Sequence, residues 1–250
     1  MQPKAFRKWF NRLQLTFPRM KTLLVALFLS VLAFSSSQAQ QAFRFGPQAG
    51  LSLSTYRFAS AKLAPAAYRS GVEAGLLARR EWGHWGLQAS ALYVQKGVVV
   101  HNANVNLRNG QNLANGQGWE YESRLHYAAV PVSVFYAPSA SGEGLQAYGG
   151  GYLACLLGGR YALTQTSGAY ADAGPIQPST GAVAVGDGAP VRRFDAGLHA
   201  GLGYRYGAVL LQAGYSLGLL SLRTNEGLAF YNGTVQCSLA YLLAPKGAAQ

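Results

Sequence analysis

The sequence predicts an all-β fold, an eight-stranded antiparallel up-and-down transmembrane β-barrel whose lumen is filled by side chains. Three observations predict it. Apolar and polar residues alternate with period two in segment after segment, the mark of strands with two unlike faces. The connections between those segments alternate in length. Only 12% of the 250 residues are charged, against about a quarter in an ordinary soluble domain, so much of the surface is expected to face something other than water.

Taken in order, the chain begins with an expected export signal over residues 1–39. Lys21 precedes an apolar run, 22–34, and Ser37 and Ala39 supply small side chains for a cut after Ala39. A basic start, a short apolar run and a small-residue exit describe a secretory signal; a spanning helix needs about 20 apolar residues. Met20 offers an alternative start. The remainder, 40–250, reads as one barrel domain. Six basic and no acidic residues lie in 1–39, which leaves 15 basic and 9 acidic ones after removal. Most of the apparent basicity therefore belongs to the signal, and nucleic acid is a poor partner. Contact with outer-membrane lipid, including lipopolysaccharide, is expected instead. No apolar stretch in 40–250 reaches spanning-helix length, and a closed barrel is the other structure that satisfies every backbone polar group in lipid.

Eight alternating segments follow, over 43–54, 69–80, 84–97, 121–137, 145–160, 191–206, 208–221 and 230–243. In the first, Phe45, Ala49, Leu51 and Leu53 oppose Arg44, Gln48, Gly50 and Ser52. In the sixth, Arg193, Asp195, Gly197, His199, Gly201, Gly203 and Arg205 share one face, and Phe194, Leu198, Leu202, Tyr204 and Tyr206 lie on the other. The seventh sets Leu211, Ala213, Tyr215, Leu217 and Leu219 against Gln212, Gly214, Ser216 and Gly218. The eighth sets Val235, Cys237, Leu239 and Tyr241 against Thr234, Gln236 and Ser238. Each segment is near or above the roughly 9–11 residues that a tilted strand needs to cross a bilayer. The connections run long (55–68), short (81–83), long (98–120), short (138–144), long (161–190), minimal (207) and medium (222–229). Short turns on one side and long loops on the other are the habit of outer-membrane barrels. Trp82, Trp85, Tyr136, Tyr204, Tyr206 and Tyr241 gather at the short-turn end, where an aromatic girdle is expected. A soluble barrel would put its charges outside; here the apolar face is the outer one.

In the fourth segment the apolar phase runs Leu125, Tyr127, Ala129 and then Val132, Val134, Tyr136. That change of phase predicts a bulge at Pro131.

The order of several stretches resembles the PorT-type family of small outer-membrane β-barrels. They are "FGPQAGLSLS" (45–54), "LQASALYVQKG" (87–97), "LHYAAVPVSVFY" (125–136), "YGGGYLACLLGG" (148–159), "RFDAGLHAGLGYRYG" (193–207) and "QAGYSLGLLSL" (212–222). Leu92, Tyr93, Gly97, Tyr127, Pro131, Phe194, Asp195 and Gly197 occupy the places of the family's recurring residues. Ala213 stands where an arginine often precedes the tyrosine of the seventh strand. The resemblance implies a Gram-negative outer-membrane barrel, linked in some relatives to secretion and to other envelope or secretion proteins as partners.

For chemistry, the inward residues expected near the long-loop end are Glu73, Lys96, Arg124, His126, Arg193 and Asp195. Charges of both signs in a lumen only wide enough for side chains must pair, so they read as a structural polar network. The competing reading is a small active site facing the outer leaflet. Asp195 and His199 share a face, but four residues of strand hold them about 13 Å apart. Nothing marks Ser52, Ser133 or Ser216 as a nucleophile, His84 and His101 fall in connections, and no Cys/His cluster has zinc-like spacing. No catalytic, cofactor-binding or metal-binding residue is assigned. Cys155 and Cys237 fall on the lipid-facing phase of non-neighbouring strands and are expected as free thiols. Three functions fit: a structural or accessory barrel using its loops as contact surfaces, a lipid-modifying or proteolytic enzyme, and a narrow pore.

Overall fold

The computed structural model describes residues 43–58, 66–101, 118–167, 179–183, 191–223 and 229–243. The expected signal, 1–39, lies outside the described residues. Eight long strands form: β1 (Phe43–Phe58), β3 (Arg69–Trp82), β4 (Trp85–His101), β5 (Gly118–Tyr136), β6 (Gly144–Ser167), β8 (Phe194–Tyr206), β9 (Val209–Gly218) and β10 (Phe230–Tyr241). Two short strands, β2 (Ala66–Ala67) and β7 (Ser179–Ala182), add to β4 and β6 at the long-loop end. All eight alternating segments of the sequence are strands.

Each long strand pairs antiparallel with its successor, and β10 returns to β1 with Leu51 opposite Cys237. The ring is therefore closed, and no strand edge is left unpaired around it. Two hairpins close in two residues, Gly83-His84 and Gly207-Ala208. Gly83 (φ 60°) and Gly207 (φ 56°) take the left-handed conformation that matches such a turn to the twist of its strands.

Alternation sorts the side chains. Outward positions carry Leu51, Leu76, Leu145, Leu153, Leu198, Leu202, Leu239 and their neighbours, with Leu51 66% and Leu202 56% exposed to the surroundings of the barrel. Trp82, Trp85, Tyr136, Tyr204, Tyr206 and Tyr241 are all exposed at the short-turn end, with Phe43 and Phe45 beside them. Cys155 and Cys237 are free thiols on β6 and β10, which are not neighbours. The inward positions are largely polar: Gln48, Ser52, Glu73, Arg79, Gln88, Lys96, Asp195, Arg205 and Gln212 are all buried.

β5 departs from expectation. Its phase does not change at Pro131: Ser123, Leu125, Tyr127, Ala129, Ser133 and Phe135 are all buried, and Arg124, Ala128, Val130, Val132, Val134 and Tyr136 are exposed. Pro131 lacks an N–H, and the β4–β5 ladder skips it. Ala89↔Val132 and Leu92↔Ala129 keep one register across the gap, because no residue is added. The irregularity lies on β6 instead. His126 pairs with Gly158 and Tyr127 with Leu156, leaving Leu157 as the extra residue of a bulge.

Candidate functional site

The interior is the place where charges gather, and it is built in layers. At the short-turn end, β3 carries Arg79 and Glu81 inward, β8 carries Arg205 and β1 carries Arg44. Glu81 stands at the centre, 2.9 Å from Arg79 Nε and 3.6 Å from both Arg205 Nη2 and Arg44 Nε. Arg79 also donates to Gln146 Oε1 at 3.0 Å and lays its guanidinium 3.9 Å over the Phe135 ring. Arg205 donates to the carbonyls of Gly142 (2.7 Å) and Ser141, which stitches the β5–β6 turn over the end of the lumen. Leu77, Leu210, Ala240 and Leu242 pack alongside. A guanidinium suits this position because its five donors form a rigid fork that serves several acceptors at once.

Above the plug lies a polar layer around a cavity of about 50 Å³, room for a few waters. Gln48 donates to Ser238 and accepts from Ser90, Gln212 donates to Gln88, and Gln236 links Ser216 to Glu73 Oε2 at 2.7 Å. Ser133 Oγ and His199 Nε2 lie 2.8 Å apart, and the His199 ring meets Tyr148 edge-on. A serine beside a histidine is half of a nucleophilic arrangement, but this pair is walled in by the barrel and has no carboxylate hydrogen-bonded to its ring among the described residues. Glycines make the layer fit. A Cβ on Gly201 would stand 2.5 Å from the Tyr148 hydroxyl, and one on Gly197 would stand 2.7 Å from the Tyr152 ring.

Next comes a buried ionic cluster. Asp195 Oδ2 accepts from Lys96 Nζ (3.1 Å), Tyr152 Oη (3.1 Å) and Asn232 Nδ2 (2.7 Å). The ammonium also sits 4.5 Å from the Tyr152 ring centre and 5.3 Å from that of Tyr127. An apolar cap closes the long-loop end: Val98, Val100, Leu125, Leu156 and Leu222, with Tyr56 bonded to Ser123 at 2.9 Å.

Of the six residues read from the sequence as one luminal network, the structure joins Lys96 to Asp195 directly. Glu73 lies in the same lumen but bonds Gln236. Arg124, His126 and Arg193 are elsewhere. Arg124 and His126 face outward on β5, because the lumen at their height is the apolar cap and Leu125 and Tyr127 fill it. Arg193 precedes the first residue of β8 and is exposed; its carbonyl accepts the Leu156 N–H. The rule of polar inside and apolar outside holds for most of the barrel and reverses there. Sequence reasoning also passed over Arg79, Glu81, Gln146 and Asn232. Arg79 and Glu81 share the phase of Glu73, and Asn232 extends that of Thr234, so strict alternation was the signal available. Among the described residues, no group of three His, Cys, Asp or Glu side chains is placed to hold a metal.

A family model described as an outer membrane protein beta-barrel domain matches residues 37–223. The chain belongs to that family. This outer-membrane barrel completes its ring with β10, beyond the matched residues. Among solved structures, it is similar to Ail, the attachment invasion locus protein of Yersinia pestis. The likeness covers 80% of this chain and 98% of that one, at 13% identity and a TM-score of 0.40. It is also similar to Neisserial surface protein A (NspA), over 79% of this chain and 96% of that one, at 13% identity and a TM-score of 0.37. No curated protein matches it in sequence.

Proposed function

We propose that this chain is a non-conducting outer-membrane scaffold, without catalysis of its own, that acts as an accessory component through its long-loop end. A PorT-type role beside secretion machinery is the finer form of this reading. One observation carries it: side chains fill the lumen at two heights. The Arg79–Glu81–Arg205 plug stands below, and the Lys96–Asp195 cluster and apolar cap stand above. An ion crossing the barrel would have to break both, and breaking one buried pair costs about 3–5 kcal/mol. This weighs against the narrow pore. The polar stretches joining β4 to β5 and β6 to β8 emerge at the same end, on a rigid base suited to presenting contacts.

The test has two parts. In planar bilayers the purified, refolded barrel should show no unitary conductance; steady steps would refute the closed scaffold. In intact cells, photo-crosslinkers within 102–117 should trap an envelope protein that crosslinkers at the outward Leu202 do not. Adducts to lipid alone at both positions would refute the accessory role.

A further inference from the structure

At the long-loop end the outer wall carries an arginine pair that the described residues do not neutralise. Arg124 of β5 pairs directly with Arg160 of β6, and both are exposed. Directly opposed residues of an antiparallel pair lie about 5 Å apart, where like charges destabilise the ladder. The β6 bulge creates this arrangement. Leu156 points inward, so without the extra residue Leu157 the phase would have carried Arg160 inward as well.

The nearest carboxylate among the described residues does little for the pair. Glu122 stands 4.0 Å from Arg124 and is already held by Arg69 at 2.8 Å. The Arg160 side chain makes no ion pair or hydrogen bond with a described residue. Beneath the arginines, on the same face, Tyr93 and His126 stack with centroids 5.9 Å apart and a Tyr93 Oη–His126 Nδ1 contact of 2.6 Å; Gln95 donates to the same hydroxyl.

Height decides what meets this patch. The twelve residue steps from the girdle residue Tyr136 up to Arg124 span about 40 Å of strand, or about 30 Å of height at the usual tilt. The apolar band of such barrels is about 25 Å tall. Tyr93 and His126 therefore reach its upper edge, and the two guanidinium groups stand at the headgroups. Arg57, Arg192 and Arg193 are exposed at the same end of the barrel, which adds to its positive charge.

We propose that Arg124 and Arg160 clamp a phosphate of an outer-leaflet glycolipid, the phosphorylated glucosamine headgroup of lipid A, with the Tyr93–His126 stack beneath its sugar. The inference rests on the reading that the long loops face the cell exterior. A phosphate between two guanidinium forks relieves their repulsion and accepts paired hydrogen bonds from each. Aromatic rings with polar tips suit the boundary between acyl chain and sugar.

The full barrel, refolded in detergent, is mixed with each candidate lipid and its retained lipid measured by native mass spectrometry. Bis-phosphorylated lipid A should bind the wild type at least about tenfold more tightly than Arg124→Gln/Arg160→Gln, the equivalent of about 1.4 kcal/mol. Arg57→Gln, on a different wall, should stay within about twofold of the wild type. Dephosphorylated lipid A should not distinguish wild type from the double variant. Heat-dependent gel mobility confirms folding, and Arg124→Lys/Arg160→Lys, which keeps charge but loses the fork, should bind at an intermediate level. Equal retention by wild type and both double variants would overturn the proposal. So would equal retention of phosphatidylglycerol, which would mean a general anionic surface, or full displacement by millimolar inorganic phosphate, which would mean a free-anion site. The assay is blind to conductance and to protein partners, so its failure leaves the scaffold reading standing.

Discussion

Replacing Asp195 by alanine should be among the most damaging single changes in this barrel. Asp195 is 1% and Lys96 4% exposed, so each charge depends on the other for compensation. Removing one partner of a buried ion pair costs about 3–5 kcal/mol, because the remaining charge is left in a poor environment. Tyr152 and Asn232 lose their acceptor as well, at about 1–3 kcal/mol each if nothing replaces it. One feature moderates the total: Lys96 and Tyr152 line the cavity of about 50 Å³, so water can reach them from below. The expected loss is therefore about 3–5 kcal/mol overall rather than the sum of the parts. Lys96→Met should cost about 3 kcal/mol, since Asp195 keeps its two neutral donors. The double change Lys96→Met/Asp195→Asn removes both charges, retains volume and leaves an amide oxygen for Asn232. It should cost at least about 2 kcal/mol less than Lys96→Met and Asp195→Asn measured singly and added together. The assay is denaturant unfolding of the refolded barrel in lipid vesicles, followed by fluorescence of the girdle residues Trp82 and Trp85. If Asp195→Ala and Lys96→Met each shift stability by less than about 1 kcal/mol, or if the double variant equals the sum of Lys96→Met and Asp195→Asn, the pair does not hold the upper lumen as described.

Two further outcomes test the glycine positions and the lipid face. Gly201→Val would place its Cβ 2.2 Å from the Ala213 carbonyl oxygen and 2.5 Å from the Tyr148 hydroxyl, and should cost about 1–3 kcal/mol. Gly203→Ala, whose nearest atom is 3.3 Å away, should cost clearly less in the same unfolding assay. Leu202→Arg puts a charge on the outward face about 10 Å of height above Tyr206, inside the apolar band, and should cost about 2–4 kcal/mol in vesicles. An unchanged unfolding midpoint for this variant would mean that the face does not meet hydrocarbon.

The barrel was legible because period two has a physical cause that survives in any single strand. Neighbouring side chains must point to opposite faces, and lipid outside demands leucine, valine and tyrosine on one of them. Strand number, closure and girdle all follow from that rule and from the lengths of the turns. The luminal site was legible only in part, since the same rule was applied uniformly. It placed Glu73, Lys96 and Asp195 inside, where they are. It misplaced Arg124 and His126, because the upper lumen is capped by Val98, Leu125, Tyr127 and Leu156 and is apolar at that height. Polarity assigns a face only when the environment on each face is known, and the environment changes along the barrel.

The sequence by itself determined the number of strands in the ring, the sidedness of most of them though not of the upper half of β5, and the end at which aromatic residues gather. These depend on local alternation and on chain direction. Only the tertiary structure decided which inward charges meet: Lys96 with Asp195, 99 residues apart, and Glu81 with Arg79, Arg205 and Arg44. It also decided that Leu157 is the bulged residue and that Arg160 therefore faces outward beside Arg124. Those contacts depend on register around a closed ring. Each pairing fixes the height of one strand against the next, and a single added residue exchanges inside for outside.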